Sequence, residues 1–161
     1  MKLSTKGRYG LRAMIDLADF SEETPQSIAN IAARQSISDS YLEQLMAKLK
    51  KAGLITSIRG AQGGYVLAKD SSEISVGDIL RALEGDLSPV NCTGLKGQDG
   101  CSGSKNCVTK NVWKRIDDSI QNAVDSIYLK ELVEDNRRMR SVSDCSSVNC
   151  CLLYTSDAAD E

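Results

Sequence analysis

Cys92, Cys101 and Cys107 stand at the spacing C-x8-C-x5-C inside a Gly- and Ser-rich stretch, Asn91 to Cys107, without apolar periodicity. Thiolates are soft ligands, and a glycine-rich loop can wrap a centre with its N–H groups turned toward sulfur. The N-terminus carries no export signal, which points to a reducing compartment where structural disulfides are rare. Three thiols in such a loop therefore fit a soft metal or an iron–sulfur cluster better than a disulfide. Zinc sites typically show closely spaced cysteine pairs, and the chain contains no C-x-x-C. Three cysteines leave one ligand short; Cys145 and Cys150 are further thiols, read as bystanders in a Ser-rich stretch. The chain has no histidine, which excludes imidazole ligands, His general bases and Cys–His or Ser–His–Asp catalysis. It also lacks a phosphate-binding loop, a nucleophile elbow and a dinucleotide fingerprint. The expectation is a protein that is not an enzyme, with carboxylates such as Asp16 and Glu84 read as solvated helix-face groups.

The chain has 161 residues, 41% hydrophobic and 26% charged, which suits one globular domain with an appendage. No apolar run approaches the roughly 18 residues of a membrane span, so a cytoplasmic protein with no membrane contact is expected. The net charge of −2 hides an asymmetry. Residues 1–69 carry ten bases against six acids, whereas the remainder carries ten against sixteen. A basic first part joined to an acidic second part fits a nucleic-acid-binding module attached to something else.

The first part reads as a sequence of short elements. Ser4 and Thr5 can cap a helix to about Phe20, with Leu11, Met14, Ile15 and Ala18 on one face. A loop with Pro25 precedes a short helix that turns Ile28, Ile31 and Ala32 inward. A turn over Gln35 to Ser38 leads to a third helix, about Asp39 to Ala52, with Leu42, Leu45, Met46 and Leu49 inward. Ser40 and Glu43 have capping-box spacing, and Ser38 is an equally good N-cap. Gly53 ends this helix. Leu54 to Arg59 and Tyr65 to Ala68 read as strands around a glycine-rich tip.

That order is a winged helix-turn-helix. The face of the third helix opposite its apolar stripe carries Ser40, Glu43, Gln44, Ala47 and Lys51, short or hydrogen-bonding groups suited to a major groove about 12 Å wide. Ser38 and Tyr41 lie beside it, and Lys48 and Lys50 flank it toward phosphates. Arg59 stands where a wing places a guanidinium in a minor groove, and Gly60, Gly63 and Gly64 leave the backbone unobstructed. Lys2, Lys6 and Arg8 add positive charge at the N-terminus. The expected ligand is a double-stranded DNA operator.

The second part begins with an amphipathic helix over Val76 to Glu84. After the cysteine loop, the periodicity predicts one long helix from about Thr109 to Glu134. Its apolar stripe includes Val112, Ile116, Ile120, Ala123, Ile127 and Tyr128, widened by Trp113, Val124, Leu129 and Leu132. So wide a stripe calls for the same helix of a second subunit, giving a homodimer. The expected fold class is mainly α with a small β-hairpin: a winged helix-turn-helix plus a long dimerisation helix. The expected boundaries are a DNA-binding domain over 1–88, the cysteine loop over 89–108, the dimerisation helix over 109–135 and a disordered tail over 136–150. The final CLLYTSDAADE resembles a translated sequencing adapter, so 151–161 is set apart as a scar.

Three motifs in order, MKLSTKGRYGLRAMIDLA, ISDSYLEQLMAKLKKAGLITSIRGAQGGY and the cysteine loop followed by VTKNVW, resemble the Rrf-two family of bacterial transcription regulators. The resemblance covers about residues 2–135 and is closest to the IscR type, ahead of the NsrR and CymR types. It implies a homodimeric winged-helix repressor or activator whose operator preference follows cluster occupancy. Cys92, Cys101 and Cys107 match cluster ligands, and the IscR type implies 2Fe–2S rather than 4Fe–4S. Glu43 matches the recognition-helix glutamate, Ser40 and Gln44 the base-edge readers, and Arg59 the wing arginine. The chain departs from the pattern in two places: the first cysteine gap is longer than the usual x5, and Lys110 stands where the IscR type has its histidine ligand. A protonated Lys cannot ligate. The aspartate ligand of the NsrR type would fall near Arg8. The fourth ligand is left open among a carboxylate, a hydroxyl such as Thr109, another thiol and an exogenous group. Two alternatives to cluster sensing keep DNA binding: a thiol or zinc switch, and control by a metabolic-enzyme partner as in the CymR type.

Overall fold

The computed structural model describes residues 4–90 and 107–146, the last four by backbone alone. Lys2, Cys92, Cys101, Cys150 and the terminal segment 151–161 lie outside the described residues. The elements run α1 (Thr5–Phe20), α2 (Ile28–Gln35), α3 (Asp39–Lys51), β1 (Ile55–Ile58), β2 (Gly64–Leu67), a 3₁₀ turn (Ser71–Glu73), α4 (Val76–Glu84), α5 (Thr109–Asp125) and α6 (Leu129–Ser146). The fold is the mainly α winged helix-turn-helix that the sequence predicts.

Each helix start follows from a local signal. The Ser4 hydroxyl accepts from the Lys6 amide at α1, and the Ser27 hydroxyl accepts from the Asn30 amide at α2. Ser75 and Asp78 form a reciprocal capping box at α4. At α3 the N-cap is Ser38, so Ser40 sits inside the first turn rather than at the cap. Ser36 takes a left-handed φ of 54° to close α2, and the Ile37 amide donates back to the Ala32 carbonyl at 3.0 Å. Gly53, at φ 75°, ends α3 in the conformation that favours glycine.

The apolar faces of these elements meet in one core. Met14, Leu17, Ile31, Leu42, Leu45, Met46, Leu49, Ile74, Ile79 and Leu129 are fully buried. The hairpin pairs Ile55 with Leu67 and Ile58 with Gly64 in antiparallel register. Gln26, in the α1–α2 loop, adds a bridge to Tyr65, donating and accepting at 3.0 and 2.8 Å. A Cβ on Gly64 would stand 2.6 Å from the Gln26 backbone, so glycine is what lets the loop reach the wing.

The structure corrects the sequence reading in three respects. The helix expected over Thr109 to Glu134 is two helices, broken at Ser126 to Tyr128. There the backbone turns to pair with the segment before α4: the Val76 amide donates to the Ile127 carbonyl and the Leu129 amide to the Ile74 carbonyl, both at 2.9 Å. Leu129 thereby leaves the expected dimer stripe and, with Val133, enters the chain's own core beside α1. Second, residues 136–146 of the expected disordered tail are helical. Asp19 holds that helix in place, its carboxylate accepting from Arg137 Nε at 2.6 Å and from Arg140, while Arg140 also lies over the Phe20 ring. Third, Asp16 and Glu84 are not solvated groups. Asp16 is buried, and Glu84 Oε1 accepts from the Ser4 hydroxyl at 2.6 Å and from the Ser4 and Gly7 amides at 3.1 and 2.8 Å.

Burial works against ionising Glu84. The Ser4 hydroxyl, the two amides and the Lys6 charge outweigh it and hold the carboxyl below its ordinary 4.5. A carboxyl lowered by folding contributes stability above its unfolded value and loses it as pH falls through the folded value. Urea unfolding should therefore show a stability decline below pH 4.5 that is shallower in Glu84→Gln, with the variant less stable than wild type at pH 7.

Candidate nucleic-acid interface

The buried stripe of α3 leaves Ser40, Glu43, Gln44, Ala47 and Lys51 exposed on its opposite side. Thirteen residues at 1.5 Å per residue make a rod of about 20 Å, and its polar face fits within a major groove. Ser38 is exposed at the start of the rod. Lys6 and Arg8 lie exposed on the first turns of α1. Tyr41 is half-buried; its hydroxyl donates to Thr5 Oγ1 at 3.3 Å and its ring meets Tyr9 edge-on. Tyr41 therefore joins the start of α3 to the start of α1.

The two flanking lysines are more constrained than the sequence suggests. Lys48 Nζ donates to the Leu83 carbonyl at 3.3 Å, and Lys50 Nζ donates to Ser57 Oγ at 2.6 Å on the wing. Arg59 is exposed just beyond β1, and no ion pair among the described residues holds it. Gly60 is exposed at φ 130°, leaving the approach to the tip open. Gly63 and Gly64 are half-buried, and their role includes packing: a Cβ on Gly63 would strike the carbonyls of Ile58 and Gly60.

Behind this surface lies a polar hub that sequence reasoning missed. Arg34 grips Asp16 with a fork, Nε to Oδ2 at 3.0 Å and Nη2 to Oδ1 at 2.6 Å. The same Nη2 donates to Gln26 Oε1 at 3.0 Å, and Gln35 Nε2 donates to Asp16 Oδ2 at 2.9 Å. Gln26 Nε2 donates to the Phe20 and Thr24 carbonyls. Asp16 thus fixes α2 against α1, and Gln26 carries the same network to β2. The side-chain partners of Asp16 and Arg34 are separated by eight to nineteen residues and share no local motif, so only an unexpected acid on the apolar side of α1 hints at them.

Of the three loop cysteines, Cys107 alone is described. It is exposed two residues before α5, with Sγ 3.0 Å from Thr109 Oγ1. The Thr109 hydroxyl foremost, then the amides of Lys110 and Thr109 and the Lys110 charge, hold this thiol below the usual cysteine range. Among the described residues no three ligating side chains converge.

The chain as a whole is similar to known proteins. The Rrf2 family of iron-dependent transcriptional regulators matches residues 3–135. The chain belongs to the Rrf2 family. It is 42% identical over 144 residues to the HTH-type transcriptional regulator IscR of Serratia proteamaculans, covering 89% of this chain and 85% of the relative. Its likeness to the IscR of Photorhabdus laumondii is 44% over 135 residues, covering 84% and 80%. Among solved structures, T. potens IscR superposes with a TM-score of 0.68 at 46% identity, covering 84% of this chain and 88% of that one. CymR, the global cysteine regulator of B. subtilis, superposes at 0.67 with 43% identity, covering 83% and 97%. This Rrf2 protein is a DNA-binding transcriptional regulator of the IscR-like kind, not an enzyme. No helix among its described residues is long and apolar enough to cross a membrane.

Asp16→Ala strips the partner from Arg34. Arg34 keeps 30% exposure, so solvent softens the loss and the expected destabilisation is about 2 kcal/mol. Asp16→Asn, which keeps the shape and part of the hydrogen bonding, should lose less; urea midpoints of the two variants check the order.

Proposed function

We propose that this Rrf2 protein is a homodimeric regulator that reads an operator with α3 and the wing and adjusts that reading to iron–sulfur cluster status. The observation that carries the sensing half is Cys107. Its thiol is exposed, biased toward thiolate, and separated from α5 by Val108 alone. A cluster iron takes thiolate donors, so the chemistry of this site fits the group. Cys92, Cys101 and Cys107 would hold it, with 2Fe–2S favoured over 4Fe–4S and the fourth ligand drawn from a carboxylate, a hydroxyl such as that of Thr109, another thiol or an exogenous group. When bound, the cluster supplies a centre sensitive to oxidants and to iron supply. The chain's own part is to place Cys107 where α5 begins.

The dimer follows from α5. None of its residues is buried, yet Val112, Ile116, Ile120 and Ala123 line one groove of about 530 Å³. An apolar face of this kind on a 17-residue helix is satisfied by the same face of a second copy. Two copies then present two recognition helices to two half-sites.

On the DNA, Ser40, Gln44 and Glu43 meet base edges. Hydroxyl and amide groups read several edges, whereas a carboxylate accepts from the amino groups of cytosine or adenine and is repelled by the acceptor edges of guanine and thymine. Glu43 therefore selects sites by exclusion. Lys6, Arg8, Ser38 and Lys51 position the DNA backbone, joined by Lys2, while Lys48 keeps its hydrogen bond to the Leu83 carbonyl. Arg59 enters the minor groove beside Gly60. Arg59→Ala should weaken operator binding by about 1–3 kcal/mol. Glu43→Ala should instead accept a broader set in selection from a random duplex library. Equal library preferences in wild type and Glu43→Ala would remove Glu43 from the reading face.

Anaerobic purification, with visible absorption and iron, sulfide and zinc assays on one sample, tests the cluster. Matched iron and acid-labile sulfide, lost in Cys107→Ala, are expected. A colourless protein that reconstitution leaves colourless would replace the cluster with a thiol or zinc switch.

A further inference from the structure

The helix α4 touches both halves of the molecule and belongs to neither the reading surface nor the cysteine loop. Near its C-terminal end, the Leu83 carbonyl accepts from Lys48 of the recognition helix, and Glu84 closes the start of α1. Its N-terminal end is bound by backbone hydrogen bonds to the α5–α6 junction, through Ile74 and Val76. Between these ends Arg81 reaches α5 twice: Nη1 donates to Gln121 Oε1 at 2.8 Å, and Nη2 pairs with Asp125. Asp78 lies 4.0 Å from the same guanidinium and holds it from the α4 side. The packing is close enough that a Cβ on Gly77 would strike the Asp125 carboxylate. Nine residues at 1.5 Å make α4 a strut of about 13 Å, short and stiff enough to move as one body.

We infer that Arg81 is a positioning residue for DNA reading: its fork on Gln121 and Asp125 ties α5 to α4, and α4 passes the position of α5 to the recognition helix through the Leu83 carbonyl and Lys48. The fork suits this role because a planar guanidinium fixes direction as well as distance, which a Lys ammonium does not. Coupling of this kind is reciprocal, so DNA seated on α3 also alters the setting of α5. That reciprocity gives a test independent of any cluster. It rests on the reading of α3 as the DNA-facing helix.

Trp113, the chain's one tryptophan, lies on α5 and is 38% exposed. The probe is a duplex recovered from a random library with the wild-type protein. Acrylamide quenching of Trp113 is measured in the full chain with and without saturating duplex, with occupancy confirmed by anisotropy of labelled DNA. In wild type the duplex should change the quenching constant. In Arg81→Gln and in Asp125→Asn that change should fall at least twofold at equal occupancy, with circular dichroism confirming that the helices are intact. Arg81→Lys, keeping the charge but not the second hydrogen bond, should fall between. A merely structural Arg81 would lower the melting temperature and leave the quenching response at its wild-type size, which overturns the inference. Absence of any response in wild type overturns it as well. Failure of the α3 reading itself is distinguished by equal library preferences in wild type and Glu43→Ala.

Discussion

A single carboxylate oxygen closes the first helix from eighty residues away. Glu84 Oε1 takes the Ser4 hydroxyl and the amides of Ser4 and Gly7, groups at a helix start that have no intrahelical partner. Negative charge there also meets the positive end of the helix dipole. The contact requires α4 to lie close against α1, and Gly7 and Gly10 on α1 make room for Glu84 and Leu83. Once α1 and α4 are locked, the Leu83 carbonyl is in reach of Lys48, and α3 acquires its place. Much of the reading head's geometry is therefore a consequence of one interhelical approach.

The wing depends on a second constraint of the same type. Asp16 fixes Arg34, Arg34 fixes Gln26, and Gln26 pairs its backbone with Tyr65. A two-stranded hairpin of four-residue strands is marginal by itself. The added bridge and the packing of Tyr65 and Leu67 on the core give it a fixed angle to α3. A groove-reading helix and a wing arginine act on one duplex only if that angle is held.

The second half of the chain divides its apolar residues between two tasks. The stripe that looks continuous in sequence is split at Ser126 to Tyr128. Leu129 and Val133 complete the chain's own core, while Val112, Ile116, Ile120 and Ala123 remain on the outside. The division leaves an apolar face of α5 uncovered by its own chain while the C-terminal part of α5 remains bonded to α4. It also puts Cys107 at the opposite end of α5 from the Arg81 fork.

What was legible in the sequence was what local periodicity and capping determine. The start of α1 follows from Ser4, because helix caps are made by residues within one turn, and its end at Phe20 and the span of α4 follow from the apolar spacing. The exposed face of α3 follows from its buried one, and the hairpin from its glycines. The placement of Asp16 and Glu84 was not legible. A carboxylate's type says only that it needs donors, and theirs come from eighteen to eighty residues away. The break before α6 was hidden for a related reason: no Pro or Gly marks it, and its backbone is satisfied by Ile74 and Val76 far upstream. The sequence by itself determined which elements form and which chemistry their exposed faces carry. Tertiary structure alone decided which polar groups are structural and where a continuous apolar stripe is cut, because those choices rest on partners that meet only when the chain has folded.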